Sequence, residues 1–471
     1  MTSTARILSV GAAAPTLRLA ASEVNAAWGR GGGHGTAAVC GPDEDVLTLA
    51  AAAALRALDA AGLDPGLVDG LWWGTSRPPF AEGPSHAVLA AALGLSPHAG
   101  GSLSSGSAHA GIEALLGAAD AVAAGTARLA LVVAADSVLP GPGTGFEARS
   151  GAGAVAFVIG TDGGNAFLGA RTTRSRPFLD RYRGDREETL RDLYDPRLFR
   201  EEVFLPITRE VGGQLAALEP TAWSLPDPDG RLGAVLAKNL ADGGAAASAP
   251  VYAAIGDAGA AAALLGAASA LDAQGVVAAL AYGGGRATGV IFTVDGPVPG
   301  AAGVLDALAG GKPTTYTAVL RARGLLVKTG ETVDMGVPPE SAMFVRGADE
   351  MLQLLGARCG DCGTINTPPS IHPHCIACGG SKFELIPLAR HGIVHTFVIN
   401  HTMPESFEAP LPIAVLDLDD GARVMLQVAG DGVGLEIGSE MELVLRRYAY
   451  ERGVPVYGYK ALLVATETEE S

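Results

Sequence analysis

The sequence predicts an α/β domain of layered sheets and helices, followed by a small cysteine-knuckle segment and a short all-β barrel. Three observations carry this reading. From residue 1 to about 295, short apolar runs of β character alternate with alanine-rich helical stretches. Four cysteines then fall in two CxxC pairs between Cys359 and Cys378. Beyond them, to about residue 467, the chain breaks into short runs of alternating polarity.

The first part reads in order as strand 7–10, helix 45–61, strand 68–74, helix 85–95, helix 110–124, strand 128–134 and strand 154–159. The order then recurs more loosely: strand 166–172, helix 231–240, strand 251–254, helix 259–273, and strands 276–281 and 289–294. Alternating β and α elements predict buried sheets covered by helices, and the recurrence predicts two similar halves. Residues 171–215, dense in Arg, Asp, Glu and aromatics, read as a charged helical insertion between the halves, either a solvated cap or a lid over a substrate tunnel. Residues 296–350 read as a linker with a connecting helix, and Tyr316 onward is placed to pair with the following domain.

Composition narrows the function. The chain has 471 residues, long enough for two or three domains; 48% are hydrophobic but only 5% aromatic, because alanine and glycine supply much of the bulk. The most apolar stretch, 114–135, is broken by Asp120, Gly125 and Arg128, so no spanning helix and no membrane partner are expected. The N-terminal apolar run is too short for a signal peptide, which predicts a cytoplasmic protein. A net charge of −17 opposes nucleic-acid binding, which needs clustered Lys and Arg.

The segment 351–385 contains Cys359-x-x-Cys362, twelve residues, then Cys375-x-x-Cys378, with Gly363 and Gly379 following each pair. Four thiolates at this spacing make the closed ligand set of a structural zinc site, so Zn2+ is the expected cofactor and has no open position for catalysis. His372 and His374 lie between the pairs and are expected at the surface. Residues 386–467 then offer five short strands, enough for a small barrel. The stretches RCGDCGTINTPP, FELIPLARHGIVHTFVI, DLDDGARVMLQV and RGVPVYGYKALL resemble the zinc-ribbon/OB-fold family that accompanies acyl-CoA-handling thiolases.

Residues 1–295 resemble the thiolase superfamily, nearest to 3-hydroxy-3-methylglutaryl-CoA synthases and β-ketoacyl-ACP synthases III. The likeness lies in DEDVLTLAAAAALRALDAAGLDPGLVDGLWWGTS, SGAGAVAFVIGTD, FLDRYRGD, IGDAGAAAALLGAASAL and LAYGGGRATGVIF. It implies a duplicated α-β-α-β-α layered domain, an acyl-CoA or acyl-carrier thioester as substrate, and a homodimer formed through this domain. It also implies a Cys-His-Asn triad, and here this chain departs. Ala108 stands at the cysteine position, within Ser105-Gly106-Ser107-Ala108-His109. Pro226 stands at the histidine position and Asp257 at the asparagine position.

No acyl-cysteine can form at residue 108. The groups left to act are Asp257 as a general base, His109 at a helix start, Asp227 with its neighbour Asp229, and Ser107, whose alternative role is to cap the helix. Backbone N–H groups of Gly283, Gly284 and Gly285 could bind the substrate oxyanion. Cys40 lies far from any cysteine motif. Two functions remain open: an acyltransferase or aldolase-type lyase working without the usual acyl-enzyme, and an inactive thiolase-like scaffold for an active condensing enzyme.

Overall fold

The computed structural model describes residues 5–31, 34–192, 195–240, 246–326, 342–403, 409–451 and 454–464. The chain forms two compact units, Met1–Val327 and Lys328–Ser471.

The first unit is built on one nine-stranded sheet. Its strands in chain order are β1 (Arg6–Ala13), β2 (Gly70–Gly74), β3 (Gly100–Ser104), β4 (Leu129–Ser137), β5 (Ala152–Gly160), β6 (Ala166–Ser175), β7 (Ala222–Ser224), β8 (Gly275–Gly283) and β9 (Arg286–Val294). The order across the sheet is β7-β8-β9-β6-β1-β5-β4-β2-β3. In the first half β2 pairs parallel with β4, β4 antiparallel with β5, and β5 antiparallel with β1. In the second half β7 pairs parallel with β8, β8 antiparallel with β9, and β9 antiparallel with β6. The same three pairings in the same order are the signature of a duplication.

Among the described residues, the second half has no counterpart of the edge strand β3. The strand expected at 251–254 lies instead within a helix, Ser248–Ile255. Val251 and Ile255, four residues apart, share its buried face, so tertiary burial overrides the strand preference of Val and Tyr. Gly256 ends the helix at φ +78.

Alanine-rich helices suit this architecture because they let layers approach closely. Helix α1 (Val46–Ala61) starts at Asp45, whose Oδ1 accepts the N–H groups of Leu47 and Thr48 at 3.0 Å while Thr48 Oγ1 accepts the Asp45 N–H at 2.9 Å. It lies directly on β1: a Cβ added to Gly11 would stand 2.4 Å from the Ala53 carbonyl oxygen. Helix α2 (Ala110–Ala123) and helix α3 (Ala262–Ser269) are buried on most of their faces, as central-layer helices must be. At Gly111 a Cβ would come within 2.0 Å of the Ala260 carbonyl oxygen, so only glycine fits where the two helical segments meet.

Residues 296–326 belong to this unit and are not a linker. The strand Lys312–Thr314 pairs with Leu17–Ala20, and Leu308, Tyr316 and Val319 are buried. Tyr316 donates to Glu147 Oε1 at 2.6 Å, within the first unit. The 171–215 stretch is likewise not one helical insertion. It begins inside β6, includes a short antiparallel pairing of Arg181–Tyr182 with Arg191–Asp192, and ends in helical turns from Pro196 to Ala216.

In the second unit the strands Ile365–Asn366, Leu355–Cys359 and Phe383–Pro387 form the antiparallel ribbon. The barrel follows as β10 (His391–Asn400), β11 (Leu411–Leu418), β12 (Arg423–Gln427), β13 (Glu440–Glu451) and β14 (Val454–Leu463), in the order β12-β11-β10-β13-β14. Alternate residues of β11 are buried, the period of a half-covered strand. The Ala429 N–H donates to the Ala461 carbonyl at 2.7 Å and Val428 bridges Ala461, which nearly closes the two edges into an OB-type barrel.

Candidate functional site

The first unit has a partly open cavity of about 250 Å³ at the start of α2. It gathers the three positions that sequence places far apart: Ala108, Pro226 and Asp257 all line it. Ser107, Asp227, Gly283 and Gly284 line it too; Gly285 does not. Strand β8 reaches the wall through Gly283, where a Cβ would lie 2.9 Å from the Ala108 nitrogen. Among the described residues lining the cavity there is no cysteine and no histidine.

Carboxyl groups take their place. Asp227 is largely buried and its Oδ1 has no hydrogen-bond partner among the described residues. Burial, with Asp229 and Asp257 nearby, raises its carboxyl to about 6, against opposing backbone N–H groups of Gly233 and Gly230. Asp136, at the end of β4, is also raised to about 6, first by burial and then by Asp257. It accepts from Ser76 Oγ at 2.8 Å, from the Ser137 N–H at 3.1 Å and from the Ala260 N–H at 2.9 Å. Asp136 thereby ties the ends of two strands to the turn before α3. Asp180 accepts the Tyr282 hydroxyl at 2.6 Å, and burial holds its carboxyl above the usual range.

Asp257 is engaged by a cation. Arg181 Nη1 donates to Asp257 Oδ2 at 3.0 Å, Arg181 Nη2 donates to the Pro228 carbonyl at 3.2 Å, and the guanidinium lies 3.9 Å from the Phe146 ring centre. Segment 176–192, held by the antiparallel pairing of Arg181–Tyr182 with Arg191–Asp192, supplies Asp180, Arg181, Tyr182, Arg183, Glu188 and Leu190 to the cavity wall. This stretch forms one side of the cavity, the position a cover would take.

His109 does not face the cavity. It is buried, with Nε2 hydrogen-bonded to Thr288 Oγ1 at 2.7 Å and Nδ1 3.3 Å from Glu113 Oε1. Burial and the Arg286 guanidinium lower its imidazole to about 4, so it is neutral at pH 7. One residue along a helix turns a side chain about 100° around the axis, which is why His109 cannot inherit the site of Ala108. Ser107 Oγ accepts the His109 N–H at 3.3 Å, a bond within the turn that leads into α2, whose N-cap residue, His109, makes no side-chain capping bond. Asp229 is exposed and caps the following turn through the N–H groups of Arg231 and Leu232. Cys40 Sγ accepts from Ser137 Oγ at 3.3 Å and does not line the cavity.

Sequence reasoning missed Asp136, Asp180, Arg181 and Tyr282. A carboxylate closing the apolar run LALVVAAD was the available signal for Asp136; for Asp180 and Arg181 it was the charge in FLDRYRGD.

In the second unit the Sγ atoms of Cys359, Cys362, Cys375 and Cys378 lie within 4.8 Å of one another, with Cys359–Cys378 and Cys362–Cys375 at 3.6 Å. Sulfurs on a tetrahedron at the Zn–S length of about 2.3 Å stand about 3.8 Å apart, and a disulfide needs about 2.05 Å, so the set fits a metal ion and not two disulfides. Gly363 and Gly379, both at positive φ, donate their N–H groups to the Cys359 and Cys375 carbonyls at 2.9 Å. Buried Asn366 braces the second knuckle by accepting the Ile376 N–H at 2.9 Å. His372 hydrogen-bonds with the Thr367 carbonyl and His374 is exposed; neither is in the cysteine set.

A duplicated α/β sheet with a cavity at a helix start, together with a four-cysteine ribbon and a five-stranded barrel, defines a thiolase-like domain fused to an OB-fold domain. Known proteins bear this out for each part. Residues 386–446 match the family described as ChsH2, C-terminal OB-fold domain. A DUF35 domain-containing scaffold protein of Methanocaldococcus jannaschii is 37% identical over 121 residues, 24% of this chain and 84% of that protein. The chain belongs to this DUF35 domain family.

The hydroxymethylglutaryl-CoA synthase of Thermococcus onnurineus is 36% identical over 155 residues, 33% of this chain. That match spans 44% of the synthase's length. Among solved structures, MvaS in complex with 3-hydroxy-3-methylglutaryl coenzyme A superposes with a TM-score of 0.59 at 20% identity, over 72% of this chain and 96% of that one. The 3-oxoacyl-(acyl carrier protein) synthase III, FabH, of Pseudomonas aeruginosa gives 0.53 at 22% identity, over 63% and 99%. The fold is that of the acyl-CoA and acyl-carrier condensing enzymes. No helix among the described residues is long and apolar enough to cross a membrane.

Proposed function

We propose that the first unit binds an acyl thioester, carried on CoA or on an acyl carrier protein, in the cavity at the start of α2. There it makes or breaks a C–C bond, or transfers the acyl group, by acid–base chemistry without an acyl-cysteine. One observation carries this reading. The cavity brings residues 108, 226 and 257 together and is lined by the carboxyl groups of Asp136, Asp180, Asp227 and Asp257, with no thiol or imidazole among the described lining residues. Asp227, with an unpartnered buried oxygen and a carboxyl near 6, is the group suited to trade protons near neutral pH. Asp257 holds Arg181 and so anchors the cover. The volume of about 250 Å³ suits the acyl end of a substrate and not a whole coenzyme.

In the same reading the four cysteines hold a structural Zn2+ in the second unit, the protein is cytoplasmic, and it is a homodimer. The last is supported by β3, an edge strand whose Gly100–Gly101–Ser102 stretch is exposed and open to pairing with a second copy.

A second reading is an inactive scaffold for a partner condensing enzyme, favoured by the likeness to a relative described as a scaffold protein. Incubation with a panel of acyl-CoA and 3-hydroxyacyl-CoA thioesters, with and without aldehyde, alcohol or amine acceptors, separates the two by mass spectrometry. A product formed by the wild type and lost in Asp227→Asn supports the enzyme. Thioester binding without turnover across the panel supports the scaffold.

A further inference from the structure

The cavity holds a second proton-handling group, wired separately from Asp227. Tyr282 is the penultimate residue of β8, buried, and its hydroxyl donates to Asp180 Oδ2 at 2.6 Å. That length falls within the 2.5–2.7 Å of charge-assisted O–H···O⁻ bonds, which are shorter and stronger than neutral ones and hold the phenolic proton on a line toward the carboxylate. Both residues line the cavity. The phenol ring is fixed edge-on between Phe199, at 5.8 Å, and Phe204, at 5.0 Å. The next residue, Gly283, touches position 108, so Tyr282 stands one residue from the point where the thioester end of a substrate is expected. Asp180 comes from the covering segment, Tyr282 from the sheet: the pair exists only when the cover is seated.

We propose that the Tyr282–Asp180 pair handles the β-oxygen of a 3-hydroxyacyl thioester, with Tyr282 as a catalytic residue and Asp180 acting through it. This rests on the reading of the cavity as an acyl-thioester site. In the cleavage direction the substrate hydroxyl passes its proton to Tyr282 Oη as the phenolic proton passes to the Asp180 carboxylate. The C2–C3 bond breaks, its electron pair stays on C2 as the thioester enolate, and C3 leaves as the carbonyl carbon of an aldehyde or ketone. Asp227 in its acid form then protonates C2 to give the shortened acyl thioester. Asp180 then releases its proton to solvent and Asp227 takes one up, which restores both groups; net, one proton moves from oxygen to carbon, and nothing is oxidised or reduced. The synthetic direction runs the same transfers in reverse. The burial that keeps Asp180 above the usual carboxylate range favours its accepting this proton, while Arg181 beside it and the Tyr282 hydroxyl pull the other way.

The test uses the full chain with 3-hydroxyacyl-CoA thioesters of short and medium length, following aldehyde release and the shortened acyl-CoA. Tyr282→Phe keeps the ring against Phe199 and Phe204 and is expected to lower kcat by roughly 100-fold or more while leaving KM within about twofold. Asp180→Asn, which keeps the shape of the cover, is expected to remove one limb of the pH–rate profile, an effect a merely structural tie would not produce. Thermal unfolding of each variant reports folding. If the wild type turns over and both variants retain kcat within about threefold with an unchanged pH profile, the pair is only a tie and the proposal fails while the thioester reading stands. If the wild type cleaves and forms no 3-hydroxyacyl thioester but transfers acyl groups to an alcohol or amine, the proposal fails and the broader reading survives. No turnover of any thioester overturns both.

Discussion

Arg181 and Asp257 join the cover to the cavity floor, and the strength of that joint is measurable. Their atoms are 3.0 Å apart with side-chain exposures of 20% and 11%. At that separation and an effective dielectric of about 20, the bare attraction is about 5.5 kcal/mol. Desolvation and the ordering of a long side chain remove much of it, leaving a net coupling on the order of 1–3 kcal/mol. Native-state hydrogen exchange reads this locally, through amides such as Arg176, which donates to the Gly285 carbonyl, and Leu190, which donates to Leu139. In Arg181→Met or Asp257→Asn, protection of segment 176–192 is expected to fall roughly 5–150-fold, since 1.4 kcal/mol is tenfold. The double variant should lose little more than the worse single one. Effects that multiply in the double variant would mean that the two residues act independently and that Asp257 does not anchor the cover.

Other outcomes follow from the site. Asp227 is held at about 6, against 3.8 for a free carboxyl. Below about pH 4 it is protonated in folded and unfolded chains alike, and above about 6 the folded chain alone bears the cost of a buried charge. Asp227→Asn is therefore expected to stabilise the first unit by roughly 1–3 kcal/mol at pH 7–8 and not at pH 4, read by urea unfolding, while losing turnover. Ala108→Cys places a thiol on the cavity wall at a helix start; incubation with acyl-CoA should add the acyl mass to the intact protein, and no adduct would count against thioester binding there. Chelation at neutral pH should release about one zinc per chain and unfold the ribbon, seen as rising reactivity of four thiols, whereas Cys359→Ser should bind little zinc at the outset.

Much of the frame was legible in the sequence because it rests on local patterns. The CxxC spacing fixed a four-sulfur cluster, and the apolar runs marked β2, β4, β5, β8 and β9 before any coordinates. What stayed hidden depends on contacts made across the chain. Residues 251–254 carry strand-forming side chains but bury one helical face. The Gly- and Pro-rich composition of 296–313 resembles a linker, yet Leu308 is buried and Lys312–Thr314 completes a small sheet. At the site, Asp257 and Asp227 were expected, whereas His109 turned out to face Thr288. Asp180 and Tyr282, 102 residues apart, meet only once segment 176–192 folds onto the end of β8, and no periodicity announces such a meeting.

The interior of the first unit is set backbone against backbone, with glycine or alanine at Gly11, Gly74, Gly111 and Ala260 where layers touch. At those contacts there is no side chain to change rotamer, so the layers there cannot shift apart to admit a new guest. Most of the long side chains at the cavity come from residues 176–192, which form one side of it. Exchanging that segment between related chains should therefore move substrate range with it, and exchanging the helices beneath should not.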